Sequence, residues 1–248
     1  MSCYRRKPME KIVVIGDVHG LRTWEQVVEK HQDCKYVFLG DYNDPYGHAI
    51  SDEEVLDNFR RIIDFKLAHM EDVVLLLGNH DMHYKDTEIA AIGSRYNVEI
   101  AFDLMMLYDD YSHCFQNAHQ EGKLLFTHAG VSEEWFADAF QAATKEEAAW
   151  QLNHCIDGQE EALHRCGVRR GGPFPSGGIF WADKGEFAHP LEGYVQIVGH
   201  NRVDHIKEFI GENGAKILFC DSLYKGNYLT IDLSKMEEPV FNIESVWV

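Results

Sequence analysis

An α/β fold with a largely parallel sheet is what this chain predicts, on two observations. Apolar runs of strand length, four of them ending in glycine, alternate with stretches of helical spacing. That is the βαβ arrangement parallel strands require. The glycine exits are the second observation: behind them stand Asp, Asn or His, and in open α/β sheets ligands gather at the carboxyl ends of strands.

Lys11 to Gly16 (KIVVIG) reads as the first strand and runs into Asp17-Val18-His19-Gly20. Asp17 and His19, two apart at a strand end, point roughly the same way, so one ion could take both. Trp24, Val27 and Val28 give a short helical face. Lys35 to Gly40 (KYVFLG) is the second strand, ending in Asp41-Tyr42-Asn43-Asp44-Pro45. Ser51-Asp52-Glu53-Glu54 has capping-box form, with Val55, Phe59, Ile62 and Ile63 at helical spacing behind it. That helix returns the chain to Val73–Leu77, the central strand, and to Gly78-Asn79-His80-Asp81.

Met82 to Asn97, with the polar cluster Ser94-Arg95-Tyr96-Asn97, reads as a loop and a candidate substrate wall. Leu104, Leu107, Tyr111 and Phe115 fall on one helical face, and a strand over Lys123 to Thr127 delivers His128-Ala129-Gly130. From Ser132 an acidic, alanine-rich helical region runs with interruptions to about Arg165. It reads as a helical insertion at about 132–170, with its glutamates solvated and Trp135, Phe136 and Phe140 in the core. Gly171 to Gly178 is a breaker-rich loop. Tyr194 to Val198 is a strand ending in Gly199-His200-Asn201-Arg202. Lys216 to Asp221, Tyr228 to Leu233 and Val240 to Val248 read as closing strands, the first pair joined by a turn near Lys225-Gly226, which predicts an antiparallel C-terminal part.

A chain of 248 residues can form one α/β domain, and 1–248 is read as a single domain. The net charge of -18 argues against extensive contact with nucleic-acid backbone, which needs clustered Lys and Arg. It leaves room for a phosphorylated substrate, because metal ions can supply the local positive charge. The apolar run Ile12 to Ile15 behind Arg5, Arg6 and Lys7 is too short for a signal core or a membrane span, which points to a cytoplasmic protein without membrane contact. Cys3, Cys34, Cys114, Cys155, Cys166 and Cys220 lack CxxC spacing and are expected as reduced thiols.

Collected in order, the strand ends offer Asp17, His19, Asp41, Asn79, His128 and His200. Carboxylate, imidazole and amide oxygen together suit Mn, Fe, Zn or Co better than calcium or a thiolate zinc site. These ligands are too many for one ion that must also hold water and substrate. Two divalent transition-metal ions sharing Asp41 as a bridge would use them all, the usual arrangement for hydrolysing phosphate esters.

The motif set resembles the calcineurin-like metallophosphoesterases, and within them the phosphoprotein phosphatase branch. The matching segments are GDVHG (Gly16–Gly20), GDYND (Gly40–Asp44), GNHD (Gly78–Asp81), THAG (Thr127–Gly130) and GHN (Gly199–Asn201), in the family's order. IFWAD (Ile179–Asp183) looks like the branch's tryptophan-aspartate segment, while Asp221 is assigned no chemistry. The resemblance implies a four-layer sandwich of two mixed β-sheets flanked by helices. It implies that Asp17, His19 and Asp41 hold one metal, manganese being favoured, and Asp41, Asn79, His128 and His200 the other.

Such a centre hydrolyses phosphomonoesters by in-line attack of a metal-bound hydroxide. The departing alkoxide needs a proton, and His80, beside Asn79, is the candidate general acid. Asp44 matches the family carboxylate that orients this histidine, with Asp81 its rival for the role. Relatives usually continue GDxxDRG, with arginine gripping the phosphate, whereas Pro45-Tyr46-Gly47 follows Asp44 here. Arg95, Arg169, Arg170 and Arg202 are candidates to replace that arginine, and none is singled out. The expected substrate is a phosphorylated small molecule or a phosphoprotein. The alternatives are a phosphodiesterase, a nucleotide pyrophosphohydrolase, or a catalytically silent metal-binding scaffold.

Overall fold

The computed structural model describes residues 9–47, 49–85, 95–156, 158–235 and 238–247. Strands β1 (Lys11–Ile15), β2 (Lys35–Phe38) and β3 (Val73–Leu76) lie side by side and parallel, connected by α1 (Thr23–Lys30) and α2 (Asp52–Ala68). Behind β3 come α3 (Asn79–Lys85) and α4 (Ala101–Asp110), then β4 (Phe115–Gln116), which extends the sheet in parallel. A second sheet begins with β5 (Ala118–Glu121) and β6 (Leu124–Thr127). A π-helical turn (Trp135–Ala139), α5 (Ala148–Asn153) and α6 (Gln159–Leu163) intervene before β7 (Val195–Val198), β8 (Lys207–Ile210) and β9 (Lys216–Phe219). β10 (Asn227–Asp232) and β11 (Val240–Ser245) close the first sheet.

The strand orders are β11-β10-β1-β2-β3-β4 and β5-β6-β7-β9-β8, each sheet mixing parallel and antiparallel pairs. The uniform apolarity of β1 now has its cause. Ile12 and Val14 join the core between the sheets with Leu124, Phe126 and Leu218, whereas Val13 and Ile15 pack with Trp24, Val27 and Phe59 of the helices. Both faces are buried, so neither can be polar. The capping box at α2 forms as its sequence predicts, with Glu54 N–H donating to the Ser51 hydroxyl and the Glu54 carboxylate accepting from Ser51 N–H.

The sequence reading needs correction at several elements. Met82–Lys85 is helix, not loop, because the chain turns directly from Gly78 into α3, while residues 86–94 of that reading, Ser94 included, lie outside the described residues. Phe115 belongs to β4 and packs on Tyr42 and Phe59 instead of continuing the face of α4. The turn at Lys225-Gly226 does not join a hairpin: β9 ends in the second sheet, and the chain crosses to the first, where β10 pairs with β1 and β11. A glycine turn marks a reversal of the chain and says nothing about which sheet receives the next strand. The short strands β4, β5 and β8 gave no separate sequence signal; β8 is an exposed edge strand with little apolar pattern to read.

Candidate metal centre and active site

β1, β2, β3, β6 and β7 all deliver their last residues to one edge of the sandwich. Asp17, Asp41, Asn79 and His128 are buried, and His200 nearly so. Two carboxylate–imidazole groups form there, Asp17/His19/Asp41 and Asp41/His128/His200, with the candidate ligand atoms of each within 4.8 Å of one another. Asp41 belongs to both. Its Oδ2 lies 3.6 Å from His19 Nε2 and 3.5 Å from His128 Nε2. Asn79 Oδ1 completes the second group, 3.0 Å from His128 Nε2 and 2.8 Å from His200 Nδ1.

Backbone geometry is bent to this end. Of the eight described non-glycine residues with positive φ, His19, Asp41, Asp44, Arg95 and His200 stand at the site. Such conformations cost of order 1–3 kcal/mol each and persist where the surroundings over-determine them. Gly78 is required for a different reason: a Cβ there would strike the Asp41 carboxylate, sit 2.6 Å from Asp41 N and 2.8 Å from the His128 ring. The strand exit at β3 therefore has to pass within contact of the ligands without a side chain.

Donor and acceptor roles test whether the residues suit cations. His19 Nδ1–H donates to the Asn43 carbonyl at 2.9 Å and His128 Nδ1–H to the Leu39 carbonyl at 2.7 Å. Both Nε2 lone pairs are thereby aimed inward, the tautomer a metal-binding histidine takes. They meet the oxygens of Asp41 and Asn79, which are acceptors too, so lone pairs face one another with no proton between. A cation fits that arrangement. Burial lowers His19 to about 4, against the pull of Asp41, lowers His128, and holds His200 well below the ordinary histidine range. Neutral imidazoles are what metal ligation needs. Burial and the neighbouring Asp221 and Asp41 raise the carboxyl of Asp17, a crowding of like charge that a divalent ion would offset.

Beside the two groups lies a hydrogen-bonded cluster around Asp44. His80 Nδ1–H donates to its Oδ2 at 2.8 Å, His83 Nε2 approaches the same oxygen at 2.7 Å, and the Tyr84 hydroxyl donates to Oδ1 at 2.5 Å. Burial would raise Asp44, but His80, His83 and Tyr84 together hold it below the usual carboxylate range. For His80, burial is outweighed by the carboxylates of Asp41 and Asp44, and its pKa rises above the ordinary 6.5. Among the described residues Asp44/His80/His83 also has metal-ligand spacing. Its atoms, however, already meet donor to acceptor, so hydrogen bonding accounts for the cluster.

Asp81 stands apart from this cluster. It accepts from Gly78 N (2.7 Å), Asp41 N (2.8 Å), Tyr42 N (3.0 Å) and the Tyr108 hydroxyl (2.7 Å), fastening the ends of β2 and β3 together. Burial and Asp41 push its carboxyl up to about 7 against those donors. Asp81→Ala leaves four buried donors unmatched and is expected to destabilise the protein by at least about 3 kcal/mol, the sum of modest single losses. Urea unfolding with an unchanged midpoint would overturn that role.

Of the four candidate arginines, Arg95 and Arg202 lie against Tyr46 beside the candidate ligands. Arg95 donates to His80 Nε2 at 2.7 Å, and its Cζ lies 3.2 Å from the centre of the Tyr46 ring. Arg202 lies over Tyr46 at 4.8 Å and Tyr224 at 3.7 Å. Arg170 is committed elsewhere, to Asn201 Oδ1 at 2.7 Å and Asp183 at 3.0 Å, which braces the chain next to His200. Trp181 of the same segment meets the His200 ring edge-on at 5.9 Å. His83, Tyr84, Tyr108 and Tyr46 had no assigned role in the sequence. Had residues 82–85 been read as helix, His83, three after His80, would have shared its face. Asp221 turns out buried, lining a narrow cleft with Asp17, His19 and Tyr46.

A two-sheet α/β sandwich with carboxylate–imidazole groups at its strand ends defines a metallo-dependent phosphatase-like fold with residues suited to metal. The model of the calcineurin-like phosphoesterases matches residues 10–222, and the chain belongs to that family. No match appears among curated protein sequences. Among solved structures, the fold is similar to that of a serine/threonine phosphatase from Saccharomyces cerevisiae described as similar to human phosphatase PP5, at a TM-score of 0.56 and 14% identity over 96% of this chain and 81% of that one. A metallophosphoesterase from Sphaerobacter thermophilus also aligns, at a TM-score of 0.43 and 14% identity over 95% of this chain and 88% of that one. Among the described residues no helix is long and apolar enough to cross a membrane.

Proposed function

We propose that the protein is a phosphomonoesterase dependent on two divalent metal ions. The observation that carries this reading is the shared Asp41 oxygen between the two ligand groups, with the His80–Asp44 pair directly beside it. Asp17, His19 and Asp41 would hold one ion, and Asp41, Asn79, His128 and His200 the other. When bound, the ions supply an activated water near neutral pH and neutralise charge on the phosphoryl oxygens.

The remaining steps belong to this chain's side chains. Asp44 fixes the His80 ring through Nδ1 and leaves Nε2 facing the site. In the present arrangement Nε2 accepts from Arg95, which opposes the charged ring that Asp41 and Asp44 otherwise favour. An incoming phosphoryl group is a better partner for a guanidinium than an imidazole is. Once Arg95 turns to grip the phosphate, Nε2 takes up a proton from water, favoured by the carboxylates of Asp41 and Asp44, and His80 gives that proton to the leaving oxygen. Substrate binding thus arms the acid. Arg95 in this way takes over from the arginine that Pro45 displaces.

Metal-loaded protein is expected to hydrolyse p-nitrophenyl phosphate in preference to its bis ester, and to lose that activity to a chelator. Faster cleavage of the bis ester would favour a phosphodiesterase. The absence of metal-dependent turnover on every phosphate ester tried would sink the enzyme reading. Arg95→Ala is expected to raise KM about tenfold or more, the worth of a charge-assisted contact to phosphate. Arg95→Lys should recover part of the loss, charge without the bidentate fork. An unchanged KM in both variants would remove Arg95 from the phosphate site.

A further inference from the structure

Outside the strand ends of β7 and β9 a groove of about 600 Å³ runs from Arg202 along the edge strand β8. Its floor is apolar, formed by Val203, Ile206, Phe209 and Phe219. Three cations, Lys184, Arg202 and Lys207, line it, with Asp204 the single carboxylate among the lining residues. Asp204 is itself engaged, by the Tyr224 hydroxyl at 2.9 Å and by Lys225 at 4.0 Å. For a chain of net charge -18, such a concentration of positive groups is a local exception.

The groove adjoins the candidate active site through Arg202. Arg202 lines both it and the narrow cleft formed by Asp17, His19, Tyr46 and Asp221. Lys184 N–H is bonded to the Asn201 side chain at 2.8 Å, one residue from His200. β8 pairs with β9 on one side, and among the described residues no strand lies on the other. Lys207 and Phe209, two apart, project to the same face of it.

We infer that this groove binds the polypeptide flanking a phosphorylated residue and selects for acidic side chains there. The inference rests on the phosphoesterase reading and names its substrate class as acidic phosphopeptides. Cations at the rim would pair with carboxylates, and the apolar floor would cover the aliphatic parts of an extended chain. An open strand edge is a template for such a chain to add to. A compact polyphosphate would use the cations but leave the exposed Phe209 uncovered, which is why the peptide is favoured over a small molecule.

The test uses full-length, manganese-loaded His80→Asn protein, which keeps substrate uncleaved, and labelled phosphopeptides identical except for flanking aspartates, asparagines or lysines. Affinity by fluorescence anisotropy is expected to fall in that order. In a background also carrying Lys184→Ala and Lys207→Ala, the aspartate peptide should lose about five- to tenfold, the size of two partly exposed ion pairs, and the asparagine peptide little. The preference should shrink as salt is raised. Equal affinity for the three peptides overturns the inference, as does an unchanged order in the lysine variant. So does a lysine-dependent gain confined to a small compound such as inorganic pyrophosphate. Turnover of p-nitrophenyl phosphate by the protein with both lysines replaced, and His80 intact, is expected to match the parent. Its absence in the parent would count against the phosphoesterase reading and leave the binding result standing.

Discussion

Asp41→Asn is expected to lose both metals and all turnover in one step. Asp41 Oδ2 lies within 3.6 Å of a histidine from each group, His19 and His128, and the other oxygen accepts from His80 N–H at 2.9 Å. An amide keeps the shape but removes the charge and one of the two acceptors. Even outer partners of metal ligands cost 10–100-fold in affinity when replaced, so loss of a bridging carboxylate should weaken metal by more than about 100-fold. The variant should remain folded, because neutralising Asp41 relieves the like charge that raises Asp17, Asp81 and Asp221. Metal content after gel filtration, read with a thermal melt of the metal-free protein, checks both halves. Retention of two equivalents of metal would show that Asp41 is not the bridge.

His80→Asn should have the opposite signature, with metal retained and turnover down about 10²–10⁴-fold, the range of general acid catalysis. The loss depends on the leaving group. p-Nitrophenolate departs readily without a proton, so the loss should be smaller there than on an alkyl or seryl phosphate. The pH profile gives a second check. Burial works against the proton on His80, but Asp41 and Asp44 prevail and raise its pKa above 6.5. An acid is active while protonated, so activity present below that raised pKa is lost as pH rises through it, and the variant should lack this alkaline limb. Equal losses on both esters, or an unaltered profile, would assign the proton donor elsewhere.

What could be read from the sequence is what lies within a few residues of a strand end. β1 and β3 announce themselves because both faces are buried, and Asp17, His19, Asp41, Asn79, His128 and His200 follow one to four residues after those strands or their partners. Strands that run parallel within each sheet carry their ends to one edge, so local motifs suffice to find the candidate ligand set. The family assignment followed from the same segments and stands with the match over residues 10–222.

The tertiary structure decided whatever depends on distance between elements. Arg95 meets His80 across fifteen positions with no periodic relation between them, and Arg202 reaches Tyr46 from the far end of β7. Asp44 and Asp81, two buried carboxylates near the same loop, differ in their donors: two histidines and a tyrosine for the first, backbone amides and Tyr108 for the second. Nor could the hand-over of the chain from β9 in one sheet to β10 in the other be read from a glycine turn. A strand's burial and exit are imposed by its own residues, whereas hydrogen-bond partners and sheet membership are settled by how separate elements pack, which no local stretch of sequence records.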